Sequence, residues 1–290
     1  RLRDWIVSRQ RYWGVPIPMV HCATCGAQPV ADEQLPVELP AVDDYLPDGS
    51  GKSPLAKVDA FVNTTCPKCG GAAQRETDTL DTFVDSSWYV LRYADPNNSK
   101  QFAEGSKQGS WMPVDMYSGG AEHTTMHLLY SRLWHKALFD IGLVGDSEPY
   151  THRENHGLVL GTDGQKMSKS KGNVLDPDAV VEQVGSDTVR MYLAFMGPYT
   201  GGASYPWNPN GVVGVRRFLE RVWRLSEKLV EGEGCEAALH RAIKKVSEDV
   251  AKLKFNTAVS ALMILVNEAE KLGITKDQFG RLLRLVAPFA

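Results

Sequence analysis

Two pairs of cysteines constrain the fold of this chain more than any other feature. They are Cys22, Cys25, Cys66 and Cys69. Each pair has the spacing C-x-x-C and is followed by a glycine, which lets backbone amides turn toward the thiolate sulfurs. Four thiolates in two such turns suit a closed tetrahedral Zn²⁺ site with no position left for water. The pairs therefore predict a structural zinc site of the zinc-ribbon kind, which brings distant parts of the chain together.

Disulfide bonds between the same cysteines are the alternative to zinc, although a cytosolic setting disfavours them. His21 is interpreted as a neighbour of the site rather than a fifth ligand, and Cys235 as a free thiol. Residues 36–54, between the two pairs, are rich in Pro, Asp and Gly, which predicts a loop.

A lysine-rich segment stands between a predicted buried strand at 157–160 and a predicted helix start at Asp176-Pro177-Asp178. Its sequence is Lys166-Met167-Ser168-Lys169-Ser170, followed by Lys171-Gly172-Asn173. Lysine is a compact cation with three donors, and serine hydroxyls add hydrogen bonds to an anion. Such a loop can stabilise the charge that develops when a phosphate bond breaks. A solvated surface loop is the alternative, because short charged motifs often carry no function.

A pair of glycines lies at a second predicted strand-to-helix junction. The strand is predicted at 114–117, the glycines are Gly119 and Gly120, and the helix is predicted from near Ala121 through Asp140. The helix is expected to bury a stripe formed by Met126, Leu129, Leu133 and Ala137. Because glycines admit close approach and a helix N-terminus offers free amides, the junction predicts a nucleotide site.

Three polar residues follow this glycine pair. Glu122 could accept hydrogen bonds from ribose hydroxyls, and His123 and His127 are four residues apart on one helical face. A zinc-protease motif is excluded because Thr124 stands where the glutamate base would be. Two satisfied core histidines are the alternative to a ligand site.

Residues 77–93 concentrate hydroxyls, carboxylates and aromatic rings. An amino-acid pocket needs polar groups that orient the ligand and rings that enclose it. A capped, buried helix is the alternative interpretation, since Ser and Asp favour helix N-caps.

The remaining patterns are mostly helical. Residues 3–11 are helix-like, whereas 15–20 are extended and limited by prolines to a strand edge or start. Further helices are predicted at 178–184, at 186–195 with Ser186-Asp187 as its cap, and in a final bundle at 212–223, 237–253, 257–272 and 276–286. Arg216, Arg217, Arg221 and Arg224 cluster on the first bundle helix. They could contact RNA phosphates, with an ordinary solvated face as the alternative.

Composition narrows the classes of protein. No apolar run reaches the roughly 18 residues of a membrane span, and the N-terminus has no signal-peptide character. The net charge of -3 gives no overall attraction to nucleic acid, so any RNA contact must come from local patches.

These segments together resemble the class I aminoacyl-tRNA synthetases, and among them the leucyl enzymes. The lysine segment is similar to the second signature of the class. The run from Asp4 to Gly14, with Pro16-Ile17-Pro18, looks like the re-entry into the nucleotide fold after an editing domain that is absent here. The resemblance implies Lys166 and Lys169 as catalytic cations. It implies ATP contacts from Gly119, Gly120, Glu122, Met167, Ser168 and Lys169, and leucine contacts from Phe83, Ser86, Tyr89, Tyr117, His123 and His127.

The implied fold class is α/β. It comprises the second half of a Rossmann-like nucleotide-binding domain with a zinc-ribbon insertion, followed by an all-α helical bundle. The expected domains are the re-entry into the catalytic core at 1–20, the zinc ribbon at 21–75, the core at 76–175, stem-contact helices at 176–205 and the start of a tRNA-binding bundle at 206–290.

The implied activity is that of a cytoplasmic leucine–tRNA ligase that uses ATP, Mg²⁺ and structural Zn²⁺ and takes leucine and tRNA(Leu). Class I enzymes also need an H-x-G-H signature, which none of the seven histidines supplies. An N-terminal half carrying H-x-G-H and the editing domain is therefore an expected partner. The alternatives are a synthetase-like module that binds tRNA or an adenylate without catalysis, and a zinc-ribbon adaptor.

Overall fold

The computed structural model describes residues 6–46 and 48–290 and divides into two compact units. The first unit contains the residues up to Met116 and Glu122–His152, and the second contains Tyr117–Ala121 and Arg153–Ala290. In the described part of the chain, no helix is both long and apolar enough to cross a membrane. The domain boundaries expected from the sequence stay a prediction.

The first unit consists of short strands and helices. In chain order they are the strands β1 (Ser8–Arg9), β2 (Met19–Cys22), β3 (Gly26–Pro29), β4 (Asn63–Thr65), β5 (Ala72–Arg75) and β6 (Thr79–Leu80), and the helices α1 (Asp59–Val62), α2 (Thr82–Asp85), α3 (Tyr89–Ala94), α4 (Gly105–Trp111) and α5 (His127–Asp140).

Four of these strands form an antiparallel sheet in the order β3-β2-β5-β4. Strand β2 begins directly after Pro18, as predicted, because proline lacks the amide that a central strand position needs. The carbonyl of Pro18 accepts a hydrogen bond from the Val30 amide at 2.9 Å. The loop predicted at 36–54 is confirmed in its described residues, except that Pro54 begins a short 3-10 turn.

The N-terminal segment is extended rather than helical. β1 pairs antiparallel with β6, the Asp81 amide donates to the Val7 carbonyl at 2.8 Å, and Arg9 forms an ion pair with Asp81 at 2.5 Å. The helix-like prediction for 3–11 is therefore wrong from Ile6 onward, because long-range strand pairing overrides a weak local helix preference. Residues 1–5 lie outside the described residues.

Helix α5 begins later than predicted and buries a different face. Residues Ala121–Thr124 form a 3-10 turn, and Met126 separates this turn from the helix. The predicted apolar stripe is exposed: Met126, Leu129 and Leu133 are 43%, 43% and 51% exposed, and Ala137 is exposed as well. The buried residues of α5 are His127, Tyr130, Ser131 and His135. Because this face packs against α2, ring and polar contacts set the rotation of the helix rather than apolar periodicity.

The second unit contains two parallel strand pairs and a set of helices. In chain order its strands are β7 (Tyr117–Gly120), β8 (Arg153–His156), β9 (Val159–Leu160) and β10 (Tyr205–Pro206), and its helices are α6 (Pro177–Val184), α7 (Ser186–Phe195), α8 (Pro209–Leu225), α9 (Glu236–Ala251), α10 (Phe255–Leu272) and α11 (Lys276–Val286). β7 pairs with β8 and β9 pairs with β10, both in parallel.

Both strands predicted next to the candidate nucleotide site exist in modified form. The strand predicted at 114–117 is displaced to Tyr117–Gly120, whereas Val114 makes an isolated bridge to Tyr150. The glycine pair therefore ends β7 instead of following it. The strand predicted at 157–160 is present as β9, but its two residues are half-buried rather than buried.

The helices after the lysine segment were predicted closely. Asp176 caps α6 by accepting a hydrogen bond from the Asp178 amide at 3.0 Å. Gly185, with φ of 87°, ends α6 and caps α7, so the predicted cap at Ser186 and Asp187 is wrong by one residue. A positive φ of this size favours glycine at the junction.

All four predicted helices of the final bundle are present as α8–α11, and they share one hydrophobic core with α7. Asn208 caps α8 and Thr275 caps α11. The sequence of α8 also predicts a buried stripe formed by Val212, Val215, Phe218, Leu219, Val222 and Trp223. That prediction is wrong for Trp223, which is 74% exposed because Val222 and Leu225 occupy the buried face on either side of it.

Candidate active site

The four predicted zinc ligands meet in the first unit, where β2 and β5 are neighbours. Their sulfur atoms all lie within 4.8 Å of one another, and the Sγ atoms of Cys22 and Cys69 are 3.7 Å apart. Zinc–sulfur bonds of about 2.3 Å give a tetrahedron whose edges are about 3.8 Å. All four are free thiols, and their arrangement is compatible with a bound metal ion.

Backbone geometry supports thiolates in this cluster. Gly26 and Gly70, with φ of 71° and 73°, follow the two pairs in the left-handed conformation that glycine favours. The amides of Cys25 and Thr24 lower the pKa of Cys22 to about 7, whereas the hydrogen bond with Cys69 raises the pKa of Cys25 to about 12. A bound cation would favour the thiolate form of Cys25, which the neighbouring thiols disfavour.

A cluster of rings in the first unit brings together most of the residues assigned to leucine. The Phe83 ring lies 6.0 Å from the ring of His123 and 6.3 Å from that of His127, both edge to face. The Tyr89 ring lies 5.6 Å from that of His127. Ser86 enters the cluster through its carbonyl oxygen, which is 2.7 Å from Nε2 of His127. These contacts join α2, α3 and α5 around one ring-lined site.

The two histidines of this cluster differ in what they offer a ligand. Burial lowers the pKa of His127, and its Nε2 must carry a proton because the Ser86 carbonyl can only accept. His127 thus partly matches the alternative of a satisfied core histidine. Among the described residues, by contrast, no hydrogen-bond partner is found for the buried Nδ1 of His123. A buried polar atom of this kind needs a partner, and a bound ligand can provide one.

Sequence reasoning missed Tyr130 in this cluster. Its ring lies 5.9 Å from that of Phe83, and the residue is buried in α5. Tyr130 follows His127 by three positions and His123 by seven, so helical spacing could have found it.

The residues assigned to adenosine belong to both units. Gly119 and Gly120 end β7 in the second unit, where the Gly120 carbonyl accepts a hydrogen bond from the Arg153 guanidinium at 3.3 Å. Tyr117, assigned to leucine, begins the same strand. Glu122 is exposed in the 3-10 turn of the first unit, and its carbonyl accepts from the Thr125 amide. The predicted α-helix N-terminus after the glycines is thus replaced by this turn.

The lysine segment forms a loop between β9 and α6, as predicted. Lys166 makes a bridge to Leu160, and Lys169 begins a 3-10 turn that ends at Gly172, with φ of 65°. Lys166 and Lys169 are both exposed, and neither forms an ion pair within the described ranges. Met167 and Ser168 are half-buried between them. The loop therefore presents two uncompensated ammonium groups on a folded base.

The four arginines of α8 are not equivalent. The Arg216 guanidinium donates to Glu220 and to the Val184 carbonyl, both at 2.9 Å. Arg221 forms a bidentate pair with Glu270 of α10, and Arg224 donates to the Glu220 carbonyl one turn earlier on α8 at 3.3 Å. No side-chain bond of Arg217 is found in the described chain, which leaves it the least engaged of the four.

Three comparisons with known proteins agree. Residues 1–204 match the family model of class I tRNA synthetases for isoleucine, leucine, methionine and valine. The whole chain aligns at 52% identity with a leucine–tRNA ligase of Alkaliphilus oremlandii (strain OhILAs) and spans 36% of that relative's length. The whole chain also superposes, with a TM-score of 0.88 and 42% identity, on 40% of the chain in the crystal structure of an Agrobacterium radiobacter K84 LeuRS in ternary complex with tRNA and LeuAMS.

Proposed function

The chain belongs to the class I tRNA synthetases, and from that premise we propose that it carries the lysine-loop half of a leucine–tRNA ligase active site. The observation that carries the proposal is the loop in which Lys166 and Lys169 are exposed and form no ion pair with any residue that the structure describes. Two exposed cations on a folded loop base suit the stabilisation of a charged phosphate in a transition state.

The proposed reaction has two steps. A carboxylate oxygen of leucine attacks the α-phosphorus of ATP, and the bond from that phosphorus to the bridging oxygen of pyrophosphate breaks. Leucyl-adenylate and pyrophosphate result. A hydroxyl of the terminal ribose of tRNA(Leu) then attacks the leucyl carbonyl carbon, loses its proton, and AMP leaves.

The loop residues act in the first step. Lys166 and Lys169 neutralise charge on the phosphate oxygens as the α-phosphorus is attacked, while Met167 and Ser168 contact ATP between them. We assign the adenosine side to Gly119, Gly120 and Glu122. Mg²⁺ accompanies ATP and supplies further charge neutralisation at the phosphates.

The ring cluster is the proposed leucine site. Phe83 and Tyr89 offer apolar ring surface to the isobutyl side chain. Nδ1 of His123, which has no hydrogen-bond partner in the described part of the chain, offers a polar contact. Ser86 and His127 are assigned to the same site, where the hydrogen bond between them fixes the His127 ring. Tyr117 is assigned to the same ligand from the family resemblance.

Zinc and macromolecular partners complete the proposal. Cys22, Cys25, Cys66 and Cys69 hold a structural Zn²⁺ that takes no part in the chemistry. The macromolecular partners are tRNA(Leu) and a polypeptide half that carries H-x-G-H and the editing domain, and the setting is the cytoplasm.

Leucine-dependent exchange of pyrophosphate into ATP tests the proposed function. We expect this chain alone to show little exchange, and the chain mixed with the H-x-G-H half to show clear exchange. Lys169→Ala should lower kcat roughly 100-fold, because removing one charged transition-state contact typically has an effect of that size. Lys244→Ala, a change of an exposed lysine on α9, is the matched control and should leave the rate unchanged.

The result that contradicts the proposal is equally specific. The two polypeptides could associate while no amino acid supports exchange of pyrophosphate into ATP. In that case the proposed catalytic function is wrong. A module that binds tRNA or an adenylate without catalysis would then take its place, and Lys169→Ala would leave that binding unchanged.

A further inference from the structure

Asn173 joins the two sides of the lysine loop at its base. Its Oδ1 accepts a hydrogen bond from the Ser168 amide at 2.9 Å. Its Nδ2 donates to Oδ2 of Asp163 at 3.1 Å and to the Lys166 carbonyl at 3.4 Å. One side-chain amide thus uses both its donor and its acceptor on the segment that contains the two lysines.

Asp163 is held in place from the opposite side. Its Oδ1 accepts from the Gln165 amide at 2.9 Å, and that bond, together with the Asn173 amide, lowers the pKa of the carboxyl group. The carboxylate is therefore ionised at neutral pH and acts as an acceptor for Asn173. Lys171 also favours the ionised form through its charge.

Gly161 shows that this contact is closely packed. A Cβ atom at this buried position would lie 2.6 Å from Oδ1 of Asp163 and 3.1 Å from Nδ2 of Asn173. The Gly161 amide also donates to the Gln165 carbonyl at 2.9 Å, which closes the turn below the loop. A side chain at residue 161 would push Asp163 and Asn173 apart. Glycine at this position therefore allows their side chains to meet.

We propose that Asp163 and Asn173, here called the Asp163–Asn173 clamp, are positioning residues for the adenylation step. The clamp fixes the backbone of Lys166 and Ser168, and Lys169 follows directly at the start of its 3-10 turn. The direction in which the side chains of Lys166 and Lys169 extend from the loop therefore depends on the clamp. This inference rests on the proposed function, because the lysines matter for the reaction only if the chain activates an amino acid.

Exchange of the Ser168 amide hydrogen tests the clamp without any activity. In this chain alone, Asn173→Ala should make that amide exchange roughly fivefold faster, the effect expected for one lost hydrogen bond. Asn173→Asp keeps the acceptor but sets two carboxylates against each other, and it should loosen the loop as well. The double variant Asp163→Asn with Asn173→Asp restores a donor and an acceptor with the same net charge, and it should recover protection.

Asn208→Ala is the matched control. Asn208 caps α8 by accepting from the Asn210 amide at 3.0 Å, so its loss weakens a different part of the unit. It should leave exchange at Ser168 unchanged. If Asn173→Ala leaves the Ser168 amide as protected as before, the clamp is overturned. It is also overturned if the Ser168 amide exchanges as fast in the double variant as in Asn173→Asp alone.

Pyrophosphate exchange with the added H-x-G-H half tests the positioning role. Asn173→Ala should lower kcat at least 10-fold, because displacing a catalytic group by about 1 Å can cost 100-fold, with KM for leucine unchanged and with recovery in the swapped pair. A loosened loop with unchanged kcat would overturn the positioning role. Absence of exchange in the unaltered pair would instead overturn the proposed function, and the amide measurement would still decide whether the clamp exists.

Discussion

His127 and His135 lie in the buried face of α5, and each meets a backbone carbonyl. Nε2 of His127 is 2.7 Å from the Ser86 oxygen, and Nε2 of His135 is 2.9 Å from the Asp146 oxygen. Burial lowers the pKa of both imidazoles. A neutral ring supplies the one proton that each carbonyl accepts, so the folded structure favours the uncharged form of His127 and of His135.

These histidines predict a loss of stability in mild acid. Each binds its proton more weakly in the folded than in the unfolded chain, so their contribution is present above the unfolded pKa of about 6.5 and declines as pH falls through it. We expect the urea concentration at the unfolding midpoint to decrease as the pH is lowered from 7.5 to 5.5. In His135→Gln this decrease should be smaller. His240→Gln, on the exposed side of α9, is the control. A midpoint that stays constant over this range would contradict the prediction.

Single residues can be predicted where the chemistry is carried by residue type and spacing. The four cysteines were chosen on that basis, and their sulfur atoms lie together. The roles of Lys166 and Lys169, and those of Phe83 and His127, which the family resemblance implied, stay predictions. The Asp163–Asn173 clamp could not be predicted, because its meaning depends on a turn at Gly161 that brings two side chains ten positions apart into contact. Hydrogen bonds between loop residues have no period that a sequence pattern can reveal.

At the scale of elements, we expect the sheet β3-β2-β5-β4 to depend on the metal ion that its cysteines could hold. Its core consists of Val20, Cys22, Val30, Cys66 and Ala73. Two of these five are candidate ligands, and the remaining apolar surface is small for a sheet of four short strands. Small domains of this kind usually need a metal or a disulfide to fold.

Removal of zinc should therefore unfold this sheet selectively. We expect one zinc per chain, and we expect a strong chelator to increase amide exchange in β2 and β5 while α8–α11 keep their protection. Cys66→Ser should lose the metal, whereas Cys235→Ser, at a buried thiol in the bundle, should retain it. Metal analysis combined with hydrogen exchange measures both. Full protection of β2 after complete metal loss would show that zinc is not structural.

The elements differ in how well the sequence predicts them. Helices α8–α11 were predicted because each has one apolar face that packs into a shared core, and periodicity reports that face directly. In α5 the same reasoning chose Leu129 and Leu133, yet the structure buries His127 and His135 instead. Periodicity detects an apolar stripe but not the neighbour that covers it, so a helix that carries site residues on its other face was assigned the wrong rotation.

At the scale of the whole molecule, the net charge of -3 leaves RNA binding to local groups. On α8, Arg217 and Arg224 lie two turns apart and flank Arg221, which is neutralised by Glu270, and Lys228 follows three residues after the helix ends at Leu225. These groups form a narrow positive stripe along α8 and just past its end. Such a stripe suits phosphate contacts that position an RNA without reading its bases.

We predict that this stripe contributes to tRNA affinity. Arg217→Ala combined with Arg224→Ala should weaken binding and lower the slope of log affinity against log salt by about 2, roughly one per phosphate contact. Arg216→Ala is the matched control, since Glu220 and the Val184 carbonyl already engage that guanidinium. Filter binding over a range of salt concentrations gives both slopes. Equal slopes for the double variant and the control would show that the stripe is an ordinary solvated face that does not contact the tRNA phosphates.

The cysteine cluster also closes a long loop, because Cys25 and Cys66 meet across about 40 intervening residues. The entropy lost on closing such a loop grows only with the logarithm of its length, at about 0.6 kcal/mol for each doubling. Between Leu35 and Ser53 the described residues form neither helix nor strand. Extra sequence placed there would therefore cost little folding free energy, and this stretch is the natural place to insert a fluorescent or affinity label without disturbing the two units.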